Sequence, residues 1–349
     1  MKTKHNFLRA IVFILVFSIL FSIASQVLSK KFNYDSQTTT FYRQPEDSID
    51  VLFLGASGFF RGVSPLVMWE EQGFTAYSRA IPSQQAITAY YYFLESLKYQ
   101  NPRVVVLDAY RLVNEAKFIR DEFAFRASYV PMRFSLLKLQ SLYNAASGSD
   151  LKTTISYFVP FYRFHYRWRE LSLEDWQIFN FNKGDPYKGQ GVTFEIYPVT
   201  LPENFMAPTD AIYGIKIIPR EYYEKIIDLC IERDIEVLLV SMPRLVKADY
   251  YEYNAVSKFA EEWGLTLIDY NLPELMDEVG FDPLTDMSDE HHVNAFGAEK
   301  FSSHLGEYIK THYALEDKRN DPDYVQWHTD AEQLSLLIQE KRKNLGILN

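Results

Sequence analysis

Charge-free residues run from Ala10 to Leu28, about 19 mostly apolar or small positions, enough for one helix to cross a bilayer. Lys2, Lys4 and Arg9 precede the run, and Lys30 and Lys31 close it. A secretory signal has a shorter apolar core and a small-x-small cleavage site, for which Ser22-Ile23-Ala24 is a weak match. Residues 1–31 therefore read as a retained membrane anchor, with a cleaved leader as the alternative. Basic residues on both flanks blur the orientation signal. The first-helix rule and the lack of a second such run favour an extracytoplasmic body, hence a single-pass protein of the cell membrane.

Residues 32–47 are polar, include Thr38-Thr39-Thr40 and read as a tether. After them, short apolar runs alternate with longer amphipathic ones. Strands are expected at Ile49–Leu54, Val104–Leu107, Glu236–Val240 and Leu265–Ile268. Their aliphatic and β-branched continuity suits a parallel sheet covered on both faces. Helices are expected at Leu66–Gln72, ended by Gly73, and at Ala86–Tyr99, ahead of Asn101-Pro102. Others are expected at Glu221–Arg233, Val256–Trp263 and Ala295–Ile309. This rhythm predicts an α/β fold over residues 48–328, a three-layer α/β/α sandwich with a mostly parallel central sheet. Residues 120–215 break it with the aromatic and basic stretch Pro160–Arg169, and read as an insertion. It is either a lid or membrane-facing platform, or a helical subdomain packed by its own aromatics. Residues 329–349 read as an amphipathic helix packed on the body.

Composition narrows the function. The net charge is −10, and removing the five basic residues of the N-terminal segment takes the remainder to −15. Such a body argues against nucleic acid, whose phosphates require clustered lysine and arginine. Local basic patches could still meet an anionic or glycan polymer. The single cysteine, Cys230, excludes an intrachain disulfide and falls in an apolar helical pattern. The sequence has no H-x-x-x-H, C-x-x-C or carboxylate cluster for a metal and no glycine-rich phosphate loop, so no cofactor is expected.

Chemistry is expected at the carboxyl ends of the strands, where Ser57, Asp108, Ser241 and Asp269 fall. A serine hydroxyl needs an imidazole to take its proton and a third group to fix the tautomer. In Asp289-Glu290-His291-His292-Val293-Asn294, His292 is the expected base and Asp289 its orienter, because that spacing lets the carboxylate turn back onto the ring. Asn294 is expected to fix the loop and Gly297 to permit close helix packing. Gly55-Ala56-Ser57-Gly58-Phe59 is not a G-x-S-x-G elbow, since Phe59 holds its last position.

Gly55-Ala56-Ser57, Arg61-Gly62-Val63-Ser64-Pro65 and Asp289–Gly297 together resemble the SGNH (GDSL-like) hydrolase superfamily. The likeness is strongest to its cell-envelope branch, which includes the teichoic-acid D-alanylation protein DltD and the alginate O-acetylation proteins. It implies Ser57, Asp289 and His292 as a catalytic triad, and a membrane-bound O-acyltransferase as partner. The implied activity is O-acylation, by D-alanyl or acetyl transfer, of an envelope polymer. The Gly-x-Asn-Asp block of the secreted members is absent after Val104–Leu107, where Asp108-Ala109-Tyr110-Arg111 stands. Oxyanion donors are therefore sought in the backbone N–H of Ser57 or Gly58, with Ser83 or Gln84. Arg61, Arg111, Arg163, Arg167, Lys188 and Arg244 are candidates for holding an anionic substrate. The alternative function is a non-catalytic scaffold that binds an envelope polymer or the acyltransferase.

Overall fold

The apolar runs assemble into one parallel sheet. The computed structural model describes residues 2–29, 35–113, 122–129, 131–146, 150–173, 175–176 and 184–347. In chain order it has α1 (Lys2–Leu28), α2 (Asp35–Phe41), β1 (Val51–Leu54), α3 (Ser57–Gly62), α4 (Pro65–Gln72), β2 (Ala76–Ser78), α5 (Ala86–Ser96) and β3 (Val104–Asp108). A 3-10 turn at Ala109–Leu112 leads on to α6 (Glu122–Tyr129), α7 (Leu136–Ala145), α8 (Leu151–Phe158) and α9 (Pro160–Phe164). A further 3-10 turn at His165–Arg169 follows α9 directly. The alternation resumes with α10 (Ile217–Glu232), β4 (Glu236–Ser241), α11 (Tyr250–Trp263), β5 (Thr266–Asp269), α12 (Pro273–Val279), α13 (Ala295–His312) and α14 (Val325–Leu345).

The strand order is β2-β1-β3-β4-β5, with every neighbouring pair parallel. Each residue of β1 and β3 is buried, as it must be when helices cover both faces. Helix α5 packs with α10, and α4 with α13 and α14, to give an α/β/α arrangement. The chain passes from β1 outward to β2, then returns across β1 to β3. Loops leaving β1 and β3 therefore diverge, which opens a crevice at their carboxyl ends.

Some elements were not expected from the pattern, among them α2, which falls within residues 32–47 that read as a tether. Strand β2 is only three residues long, and α12 is a short helix begun by Pro273. Helix α3 starts at Ser57 itself.

Helix α1 holds an 18-residue window with a mean hydropathy of 2.6 and is long enough to cross a membrane. Lys30 and Lys31 lie outside the described residues, as do parts of the 120–215 stretch. At the other end, α14 begins at Val325, earlier than expected, and lies on α4. Its Trp327 meets the buried Trp69 with ring centroids 5.4 Å apart, and Tyr324 stacks on the same indole at 5.7 Å.

Candidate active site

Ser57 follows β1 by three residues and begins α3, so its hydroxyl sits at the switch point between β1 and β3. The approach to it is tight. A Cβ on Gly55 would lie 2.5 Å from Cβ of Asp108, so only glycine lets the β1 loop pass the end of β3. The Asp108 carboxylate accepts the Ala56 N–H at 3.1 Å. Burial pushes the Asp108 carboxyl up, and the nearby Arg111 charge is the largest effect holding it down. Sequence reasoning placed Asp108 at the correct sheet edge without assigning it a task. An acid at a strand end opposite a glycine in the neighbouring loop was the signal for it.

The second half of the site is a tight turn closed by hydrogen bonds. Met287 pairs with Val293 in an antiparallel bridge, and the carbonyl of His292 accepts from Ser288 N at 2.8 Å and Ser288 Oγ at 3.1 Å. Asn294 anchors the turn to α13. Its Oδ1 accepts the N–H groups of Phe296 and Gly297, while Nδ2 donates to the carbonyls of Glu195, Thr285 and Met287. Gly297 allows the close approach, since a Cβ there would meet the Asp286 carbonyl oxygen at 2.7 Å.

Across the crevice, His292 Nε2 lies 2.7 Å from Ser57 Oγ, and its Nδ1 lies 2.8 Å from Asp289 Oδ2. Asp289 also accepts the backbone N–H of His291 at 2.7 Å. Burial pulls the Asp289 carboxyl upward, but these hydrogen bonds and the two imidazoles together hold it below the usual range. The His292 side chain is 24% exposed and that of Asp289 53%, so the group opens to solvent. A hydroxyl, an imidazole and a carboxylate in this sequence can pass a proton from oxygen to nitrogen while the carboxylate stabilises the resulting cation.

The proposed oxyanion donors fare unequally. Ala56, the N-cap of α3, offers no capping side chain, so the N–H groups of Ser57 and Gly58 in its first turn have no intrahelical acceptor. Gln84 is a correction. It is buried, and its Nε2 donates to the Arg79 carbonyl at 3.1 Å, which turns that group to the loop. Ser83 is exposed, with φ of 61°, and its carbonyl accepts from Gln85.

Of the basic candidates, Arg61 lies nearest the triad. It ends α3, donates to the Gly191 carbonyl at 2.9 Å and feels the charges of Asp289 and Glu195. Burial lowers its pKa more than those charges raise it. Arg111 is buried and donates to Gln85, serving Asp108 rather than an open rim. Arg244 stacks on Tyr110 with its guanidinium carbon 3.3 Å from the ring centroid and pairs with Glu252 at 2.5 Å. A small polar pocket lies around it, lined in part by Ser241, Asp269 and Asn271.

Arg163 is exposed on α9. Two further candidates are corrected outright. Lys188 is buried in an ion pair with Asp330 of α14 at 2.5 Å, over the Trp327 ring. Arg167 is bound to the carbonyls of Leu28 and Ser29 and to Asp175.

Residues 187–199 lace the two halves of the site together. Gly191 N donates to Phe60 of α3, the Thr193 carbonyl accepts from Ala295, and Tyr197 N donates to Met287. A chain segment that read as insertion therefore spans the crevice. Among the described residues, no cluster of three His, Cys, Asp or Glu side chains could hold a metal ion.

No protein-family model and no curated protein matches the sequence. Among solved structures, the chain is similar to BT4096, a gut microbial diltiazem-metabolizing enzyme, at 12% identity and a TM-score of 0.26. That likeness covers 76% of this chain and 48% of the other, so the chain spans about half of that enzyme's length. A score this low carries no argument about function.

Proposed function

We propose that the chain is a membrane-anchored serine esterase or O-acyltransferase of SGNH type. One observation carries the reading: a single imidazole reaches Ser57 Oγ at 2.7 Å and a carboxylate at 2.8 Å. In the proposed cycle, His292 Nε2 takes the Ser57 proton as Oγ attacks an acyl carbonyl. The N–H groups of Ser57 and Gly58 receive the developing oxyanion, which such donors stabilise by about 3 kcal/mol each. Collapse expels the donor's oxygen, which takes the proton from His292 and leaves an acyl-serine. An acceptor hydroxyl, or water, then loses its proton to His292 and attacks the acyl group, and His292 returns that proton to the departing Ser57 Oγ. The sequence resemblance to the envelope branch supports D-alanyl or acetyl as the acyl group and an extracytoplasmic polymer as acceptor. It also supports a membrane-bound O-acyltransferase as donor partner.

The test is covalent labelling of the full-length protein in membranes with a fluorophosphonate. Ser57 should be the labelled residue, and His292→Ala should slow labelling by at least about 100-fold, as expected when the base is lost. Full acyl transfer by Ser57→Ala with a competent donor and acceptor would sink the mechanism. Persistent failure to label in an intact membrane complex would favour the non-catalytic scaffold.

A further inference from the structure

Helix α1 does not leave the body cleanly. It is exposed through Leu20, but from Phe21 to Ser29 one side packs onto α9 and the 3-10 turn that follows it. Phe21 meets Phe161 with ring centroids 5.2 Å apart. Ser25 Oγ accepts the N–H of Phe161 at 3.1 Å, which satisfies a donor in the first turn of α9. Arg167 closes the other end, donating to the terminal carbonyls of Leu28 at 2.9 Å and Ser29 at 2.7 Å, while the buried Asp175 balances its charge at 2.9 Å.

Length then decides where this contact lies. A hydrocarbon core of about 30 Å needs about 20 helical residues. The exposed apolar stretch Ala10–Leu20 rises only about 16 Å. The remaining depth must come from Phe21–Leu28, the part that carries α9. If α1 spans, Phe161 of α9 reaches into the apolar layer beside Phe21, and the turn that Arg167 holds to Leu28 and Ser29 lies at the outer headgroups.

Their surface fits that level. Tyr162, Tyr166, Trp168, Leu173 and Trp176 are all exposed, with Trp168 at 62% and Leu173 at 89%. Tyrosine and tryptophan favour the membrane interface, where a ring can be buried while its polar edge stays wet. The decapeptide Pro160–Arg169 holds Arg163, Arg167 and Arg169 with no acidic residue, in a chain of net charge −10. We infer that Pro160–Leu173, together with Trp176, is a lipid-binding platform that seats the body on the bilayer around the foot of α1, with its aromatic side chains in the interfacial layer and Arg163 and Arg169 at phosphate level. This inference rests on α1 crossing the membrane and is independent of the chemistry at Ser57.

Nitroxide labels at Tyr166→Cys, Trp168→Cys and Leu173→Cys would test it, with Glu340→Cys on exposed α14 as the solvent reference. Buried Cys230 stays unlabelled. Full-length protein is placed one chain per nanodisc, in phosphatidylcholine and phosphatidylglycerol without any other protein. Collision with a water-soluble nickel chelate should fall at least about threefold below the reference at all three sites, and collision with oxygen should rise, as interfacial burial requires. Tryptophan quenching by lipids brominated on the acyl chain gives a second measurement that needs no label. Most of that quenching should vanish in the Trp168→Phe/Trp176→Phe double variant. Nickel accessibility equal to the reference at the three sites, or quenching unchanged in the double variant, would overturn the platform and point to a protein partner for this surface.

Discussion

Asp289 bears the clearest pH signature in the site. Its carboxyl is held below the usual range although burial opposes this. A depressed folded-state pKa contributes stability that is present above the unfolded value, near 4, and is lost as pH falls through the folded value. The stability difference between the natural protein and Asp289→Asn, measured by urea unfolding, should therefore be largest near neutrality and shrink as pH falls through the depressed folded value. On a chromogenic ester the same substitution should lower kcat by about 10²- to 10⁴-fold, with KM little changed, because it removes the group that fixes the imidazole tautomer. A drop confined to KM would instead make Asp289 a substrate contact. The Asp289–His292 spacing was legible in the sequence because both partners lie within one turn. The bond that turns Gln84 Nε2 to the loop was not, because its acceptor is a backbone carbonyl, which any residue can supply.

One side chain, that of Asn294, caps helix α13 and ties it to the turn before it. Asn294 uses both amide atoms and makes five hydrogen bonds around the turn that presents His292. Asn294→Ala should cost about 3 kcal/mol, combining a lost N-cap with buried carbonyls left unpaired. Asn294→Asp keeps the cap oxygen but turns a carboxylate towards three carbonyls, and should be at least as damaging in urea unfolding. Stability of Asn294→Asp equal to the natural protein would show that the cap alone matters. Periodicity placed α4, α5, α10 and α13 to within four residues at each end, since each packs an apolar stripe, but began α11 six residues late. It missed β2, whose three residues Ala76, Tyr77 and Ser78 earn burial from β1, from α2 and α4 and from the chain around Lys188, all brought to it by the fold. The start of α14 was missed for a related reason: Trp327 has no partner until Trp69 is brought to it.

Across the fold as a unit, the C-terminal helix is tied to the site by a buried charge pair. Lys188 and Asp330 are both almost wholly enclosed. Removing one partner leaves the other charged and unpaired in the interior, so Asp330→Leu should cost about 3–5 kcal/mol. The double change Lys188→Met with Asp330→Leu should recover most of that loss in a double-mutant cycle. Strict additivity of the two single effects would mean the pair is not coupled. Since Lys188 heads the segment that laces α3 to the Asp289–His292 turn, loss of this anchor should also lower esterase activity.

Local order along the chain was enough to give the alternation of strands and helices, the apolar span of α1, and a serine after the first strand with an Asp-x-x-His pair near the end. Each of these is written in neighbouring residues, through periodicity, propensity or spacing. The 2.7 Å approach of His292 to Ser57 joins residues 235 positions apart, and only the parallel sheet and its reversal between β1 and β3 bring them together. The work of the basic residues was likewise set by the fold. Charge alone does not distinguish Arg61 beside the triad from Lys188 in the interior or Arg167 on the end of α1, because a cation's role depends on which acceptor the packed chain places before it.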